Sequence, residues 1–224
     1  MIGPGLDFTD KAEGYDFYPQ QTIQPFSVID SLRRLGLAHS EGLRLTTFDL
    51  SPRINQHLAA AVRRASGGSG YVIVLPHDRD VSWRAGLLKF WKGFGSTIGE
   101  DTTAAPSPPA GVSVDVRAVA VRPDIVMSIE PRDLNVVLER LAPSTADQSF
   151  DLVVATNMFV YYDALEQSLA LANVASMLRP GGLLLSNDVL VELPITPIHS
   201  AGYSIVTYTD RSDDNDHIVW YQRR

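Results

Sequence analysis

Two glycines at alternate positions open the chain in Ile2-Gly3-Pro4-Gly5-Leu6-Asp7, and two carboxylates, Asp49 and Asp133, stand just beyond apolar runs. Alternating glycines remove the side chains that would keep a ligand away from the backbone. Asp7 stands where a third glycine would complete such a loop, and Gly-Pro-Gly is also a common turn. A carboxylate at a strand end can accept two hydrogen bonds from a polyol edge; Asp49 and Asp133 fit helix caps equally well. A third group, Asn157 with Tyr161 and Tyr162, follows the apolar run 150–155 and offers polar atoms that can orient a substrate, or two rings that pack on the next helix. His77-Asp78-Arg79-Asp80 lacks zinc-like spacing and reads as a solvated turn, with His77 the candidate base; no metal is expected. His39, His57, His199 and His217 read as surface or edge residues, and no nucleophile-elbow signature is present.

These residues need elements to hold them. Val28, Leu32 and Leu35 share one face of a helix over 24–36 that stops at glycine. The alternating run 43–48 predicts a strand ending at Asp49, and Ser51-Pro52 opens a helix with Ile54, Leu58, Ala61 and Val62 on one side, ended by 66–70. A strand is expected over 125–129, and a helix from Asp133 carrying Val136, Val137 and Leu141. Residues 150–155 form a near-continuous apolar strand of the doubly buried kind. Asp163 and Glu166 have capping-box spacing ahead of the stripe Leu171, Ala175 and Leu178, which Arg179-Pro180-Gly181-Gly182 halts before a strand over 183–186. Runs 203–209 and 217–222 flank a polar turn and predict a hairpin. Helix and strand alternating in this way give an α/β fold, mostly parallel with an antiparallel finish.

The stretch 149–188, with Leu-Arg-Pro-Gly-Gly ahead of a strand, resembles the fourth- and fifth-strand region of class I S-adenosylmethionine-dependent methyltransferases. Asn157 and Tyr161-Tyr162 add a likeness to chemotaxis receptor glutamate methyltransferases. The resemblance extends over roughly 3–224, and 150–188 is its specific part. It implies a Rossmann-like sheet, S-adenosylmethionine as cofactor, and a set of binding positions. Gly3, Gly5 and Asp7 would form the glycine loop, Asp49 would take the ribose, Asp133 the adenine, and Asn157 would face the cofactor. Asn157 and Tyr161 would be the groups acting at the acceptor. Methyl transfer needs chiefly an aligned nucleophile, so few side chains need act on protons. The surplus segment 8–22 would form an extended loop over the cofactor mouth or fold independently, with Asp16 and Tyr18 either touching ligand or packed on the surface.

The 224 residues, 45% hydrophobic, suffice for one sizeable core, read as a single domain over 1–224 with an excursion at about 76–111. In the excursion Trp83, Leu87, Trp91 and Phe94 fall at helical spacing among Arg84, Lys89 and Lys92, giving a lid over substrate or an edge helix. A net charge of −7 disfavours nucleic acid and anionic lipid, so a small molecule or a protein is the expected substrate. No apolar run reaches membrane-spanning length, no signal segment follows Met1, and cysteine is absent, from which a cytoplasmic location is expected. With only Met1 and Ile2 before Gly3, the first strand is expected to be truncated, with native sequence continuing upstream. The competing expectation is a non-catalytic binding or scaffold module that keeps the sheet; a nicotinamide dehydrogenase is disfavoured because the first turn lacks Gly-x-Gly-x-x-Gly. Oligomeric state is not legible.

Overall fold

A computed structural model describes residues 1–7, 17–38, 42–142, 149–211 and 213–224. Asp16 and His39 lie outside the described residues. Helix α1 (Gln24–Arg34) leads to strand β1 (Leu45–Asp49) and helix α2 (Pro52–Ser66). Proline in the first turn of both helices costs no hydrogen bond, since those amides have no helical partner. Residues 71–121, which include the expected excursion, then build β2 (Tyr71–Asp78), α3 (Ala85–Gly93), β3 (Gly99–Thr102) and β4 (Val114–Val121). The chain returns through α4 (Pro123–Met127), β5 (Ile129–Asp133), β6 (Phe150–Ala155), α5 (Ala164–Met177) and β7 (Leu178–Ser186) to the hairpin β8 (Ile198–Thr207) and β9 (Asn215–Arg223).

β1 pairs parallel with β5, bringing Asp49 opposite Asp133. β6 pairs parallel with β7, which pairs antiparallel with β9, and β8 closes that edge. Between β1 and β6 run residues 1–3. The Phe48 amide donates to the Met1 carbonyl at 2.9 Å, Gly3 N–H donates to the Phe48 carbonyl at 2.8 Å, and Ile2 N–H donates to Val154 at 2.8 Å. This short ladder joins the two halves in the order β5, β1, residues 1–3, β6, β7, β9, β8. Ile2, Phe48, Val153, Leu171, Val174 and Leu184 bury together against it. The capping box forms as its spacing predicts: Glu166 N–H donates to Asp163 Oδ1, and Asp163 N–H to Glu166 Oε2, both at 2.9 Å.

Two expected elements differ. Residues 125–128 are no strand; Arg122-Pro123 starts α4 there, and the strand begins only at Ile129, where its partner Leu45 begins. Asp133 opens no helix. It ends β5, and the Val137 amide donates to the Asn135 side chain in a local turn that competes with helix formation. Residues 71–121 hold an antiparallel sheet, ordered β2-β4-β3, that extends beyond the expected excursion at both ends and that no periodicity argument had anticipated. Its inner residues Ile73, Val119 and Val121 pack with Phe26 and Ile29 of α1 and Leu58 of α2 in a second core.

Tyr71 ties this second core together. Its ring stacks on Phe26 at 5.0 Å, its hydroxyl accepts from the Thr22 amide at 2.9 Å, and His57 Nε2 lies 2.8 Å from the same oxygen. Burial pushes the phenol from 10.0 up to about 12. A proton held more tightly in the folded state gives stability that is complete below 10.0 and lost as pH rises through about 12. Tyr71→Phe should therefore lower stability at neutral pH by about 1 kcal/mol through the lost hydroxyl bonds. It should also unfold less steeply than the parent across that alkaline window in pH-dependent urea titrations.

Candidate active site

The carboxyl ends of β1 and β6 open into a cleft of about 360 Å³. Such strand tips are where open α/β sheets bind ligands. Gly3 and Gly5 line it from the first turn, Asp49 and Leu50 from the end of β1, and Leu134 and Val136 from the segment after β5. Thr156, Asn157, Met158 and Tyr162 line it beyond β6. Of the residues read from sequence, Gly3, Gly5, Asp49 and Asn157 thus share one cleft. Asp133 stands beside Asp49 in the β1/β5 register but does not itself line the cleft. Asp7 also stays outside it, exposed, its backbone paired with Gln21. Tyr161 is 78% exposed and turned away, whereas its neighbour Tyr162 is part of the wall. Sequence reasoning missed Gln24, Ile54, Leu134, Val136 and Met158. Leu134, next to a strand-end aspartate, was the one with a positional signal.

Asp49 is half-buried. Its Oδ1 accepts from the Ser51 amide at 2.8 Å, and its carbonyl accepts from Asn55 Nδ2 at 2.8 Å, so the start of α2 fixes it. Burial raises its carboxyl above 3.8; the Ser51 amide opposes this, and the nearby Asp133 charge adds to it. The Ser51 and Leu50 amides use part of its acceptor capacity, and its remaining lone pairs can take a hydroxyl-bearing ligand. Tyr162 is held by Gln167, whose Nε2 donates to the carbonyls of Phe159 and Tyr162 at 3.0 and 3.1 Å. Burial raises its phenol, with smaller contributions from Glu166 and Asp49.

Asn157 adopts φ 57, a left-handed conformation that among non-glycine residues asparagine tolerates best. Its amide donates to Asn187 Oδ1 at 3.2 Å, and Asn187 Nδ2 donates to the His217 carbonyl at 3.2 Å. Asn187 therefore braces the turn after β6 against β9. The two glycines differ in what they allow. A Cβ on Gly3 would overlap Met158 Sδ, so this glycine makes room for a protein side chain. A Cβ on Gly5 would meet only Gln24 Nε2, at 3.9 Å, so its face is open. Both have φ +64.

The excursion's aromatic residues lie elsewhere. His77 sits 4.2 Å from the Trp83 ring and 5.4 Å from Trp91, and Trp91 Nε1 donates to the Leu75 carbonyl. Trp83 bridges Thr209, and the Arg84 amide donates to the Tyr208 carbonyl at 2.8 Å, so this segment latches onto the hairpin tip. None of Trp83, Leu87, Trp91 or Phe94 lines the cleft. No described helix is long and apolar enough to cross a membrane.

Residues 115–186 match the family model described as a methyltransferase domain. That segment is less than half the chain, and it contains β5, β6 and β7 with Asp133 and Asn157. No curated protein matches. Among solved structures, the N-methyltransferase NodS from Bradyrhizobium japonicum WM9 aligns at 13% identity and TM-score 0.39, over 80% of this chain and 73% of that one. A second NodS structure from the same organism, in complex with S-adenosyl-L-homocysteine, aligns at 12% identity and TM-score 0.43, over 89% of this chain and 74% of that one.

The packing contrast gives a prediction. Gly3→Ala should destabilise by at least about 2 kcal/mol, combining left-handed strain with the Met158 overlap. Gly5→Ala should cost about 1 kcal/mol from strain alone. Adding Met158→Ala to Gly3→Ala should recover part of the first loss in urea denaturation.

Proposed function

We propose that this chain is an S-adenosylmethionine-dependent methyltransferase whose cofactor occupies the cleft at the tips of β1 and β6. The observation that carries the reading is the convergence there of Gly5, Asp49 and Asn157, three residues far apart in sequence, within a chain whose 115–186 segment matches a methyltransferase domain. The residues fit the group. The open face at Gly5 admits a close backbone approach, and Asp49 keeps lone pairs for ribose hydroxyls. Leu134 and Val136 offer an apolar wall for adenine; Asp133 stands beside Asp49, outside that lining.

The bound cofactor supplies an electrophilic sulfonium methyl. The protein's share is to align an acceptor and exclude water, which suits walls of Asn157, Met158 and Tyr162 on a turn braced by Asn187. Tyr162 takes the acceptor-side role that the sequence suggested for Tyr161. Asp49 is the sole formally charged side chain among the described lining residues. The acceptor in this reading is a small molecule or a protein carboxylate. A carboxylate needs no proton removed before attack, which agrees with a cleft wall without lysine or histidine among the described residues. A cytoplasmic, single-domain enzyme with an embedded excursion completes the proposal.

Met158 packed on Gly3 favours a second reading, a binding module that has kept the sheet and lost the cofactor. Calorimetric titration with S-adenosylhomocysteine separates the two. The enzyme reading expects saturable heat; a folded protein that gives none favours the module. Asp49→Ala should weaken binding by about 1.5 to 3 kcal/mol, the worth of hydrogen bonds to a charged group, with an unchanged circular dichroism spectrum. Because hydroxyl donors favour the ionised carboxyl, and burial holds the free carboxyl above 3.8, parental affinity should rise as pH climbs through that raised value. Asp49→Asn should show a flat profile in the same window; a parent equally flat would remove Asp49 from the ribose.

A further inference from the structure

We infer that the side-chain amide of Gln24 captures the carboxylate at the amino-acid end of the cofactor, an inference that rests on the methyltransferase reading of the cleft. Gln24 opens α1 and lines the cleft at its glycine-turn end. Its Nε2 is the nearest atom to the open face of Gly5, 3.9 Å from where a Cβ would stand. Its Oε1 is sealed from solvent without a partner, so the donor end of the amide is the end presented to the turn. An –NH₂ donates twice and accepts nothing, so its natural partner is a carboxylate and not an ammonium.

Further observations bear on the assignment. The described lining residues include no lysine, arginine or histidine, so no cationic side chain there takes the carboxylate in place of Gln24. Ile23, at the N-cap of the 11-residue α1, supplies no side-chain cap, leaving the positive end of the helix uncompensated by a local oxygen. The geometry is also fixed before any ligand arrives. Thr22, fully buried, donates through Oγ1 to the Pro4 carbonyl at 3.2 Å and through its amide to Tyr71, which locks the glycine turn to the residue preceding Ile23 and Gln24. The amide is thus a neutral receptor for one end of a zwitterion, held against the turn that carries the other contacts.

The test uses the full chain and three ligands: S-adenosylhomocysteine, its decarboxylated analogue, and its deaminated analogue. Gln24→Leu should weaken S-adenosylhomocysteine and the deaminated analogue roughly tenfold and leave the decarboxylated analogue unchanged. Gln24→Glu should weaken the carboxylate-bearing ligands further than leucine does, yet tighten the decarboxylated analogue, whose ammonium is then unopposed. That reversal of sign cannot come from a merely misfolded variant. Equal losses for all three ligands, losses that follow the amine, or no losses would overturn the assignment to Gln24 while leaving the cofactor reading intact. A parent that binds none of the three overturns both.

Discussion

The arrangement depends on a backbone ladder only three residues long. Residues 1–3 fill the slot between β1 and β6, and their hydrogen bonds to Phe48 and Val154 are what join the β5–β1 pair to the β6–β7–β9–β8 sheet. Side chains pack beside these bonds: Ile2 and Phe48 are almost fully buried, and Phe48 meets Phe150 across the slot with ring centroids 5.9 Å apart. Burying such side chains is worth about 1.5 to 3 kcal/mol each, comparable with the ladder bonds they accompany. The same three residues end at Gly3, so the join of the sheet and the floor of the cleft are one structure.

Three polar side chains of the cleft stand at strand tips or a helix start, where backbone geometry already holds them: Asp49 by the first turn of α2, Asn157 by Asn187, and Gln24 by the start of α1. The excursion contributes differently. Asp30 of α1, completely buried, binds Arg34 at 2.9 Å and accepts from Thr97 Oγ1 at 2.7 Å, which ties the excursion to the back of the first helix. Another attachment is the Trp83–Thr209 bridge to the hairpin tip. The segment thus packs into the second core without its aromatic residues lining the cleft.

Much of this was legible where local chemistry and tertiary demand agree. The stop of α1 near Gly36, the proline start of α2, the capping box of α5 and the terminal hairpin all formed close to where their residues put them. Legibility failed where pairing partners decide. The run 71–78 carries apolar residues on both faces and a proline, and becomes a strand because β4 lies beside it. Residues 123–133 divide into helix and strand at Ile129 because Leu45 waits there, which no window of local periodicity contains. In the cleft, Asp49 and the two glycines could be read because their types are rare at such points, whereas Asp133, read on the same signal, does not line it. Gln24 and Met158 could not, since a glutamine before a proline and a methionine after an asparagine carry no chemical signature until the fold brings them to Gly5 and Gly3.

Amide hydrogen exchange with and without S-adenosylhomocysteine tests the central claim most directly, that the residue 1–3 ladder and the strand tips around it form the nucleoside site. The account predicts added protection concentrated at Gly3, Gly5, Leu50 and Asn157, with the amides of β2 and β4 unaffected. Protection confined to the excursion sheet, or spread evenly over the chain, would contradict it.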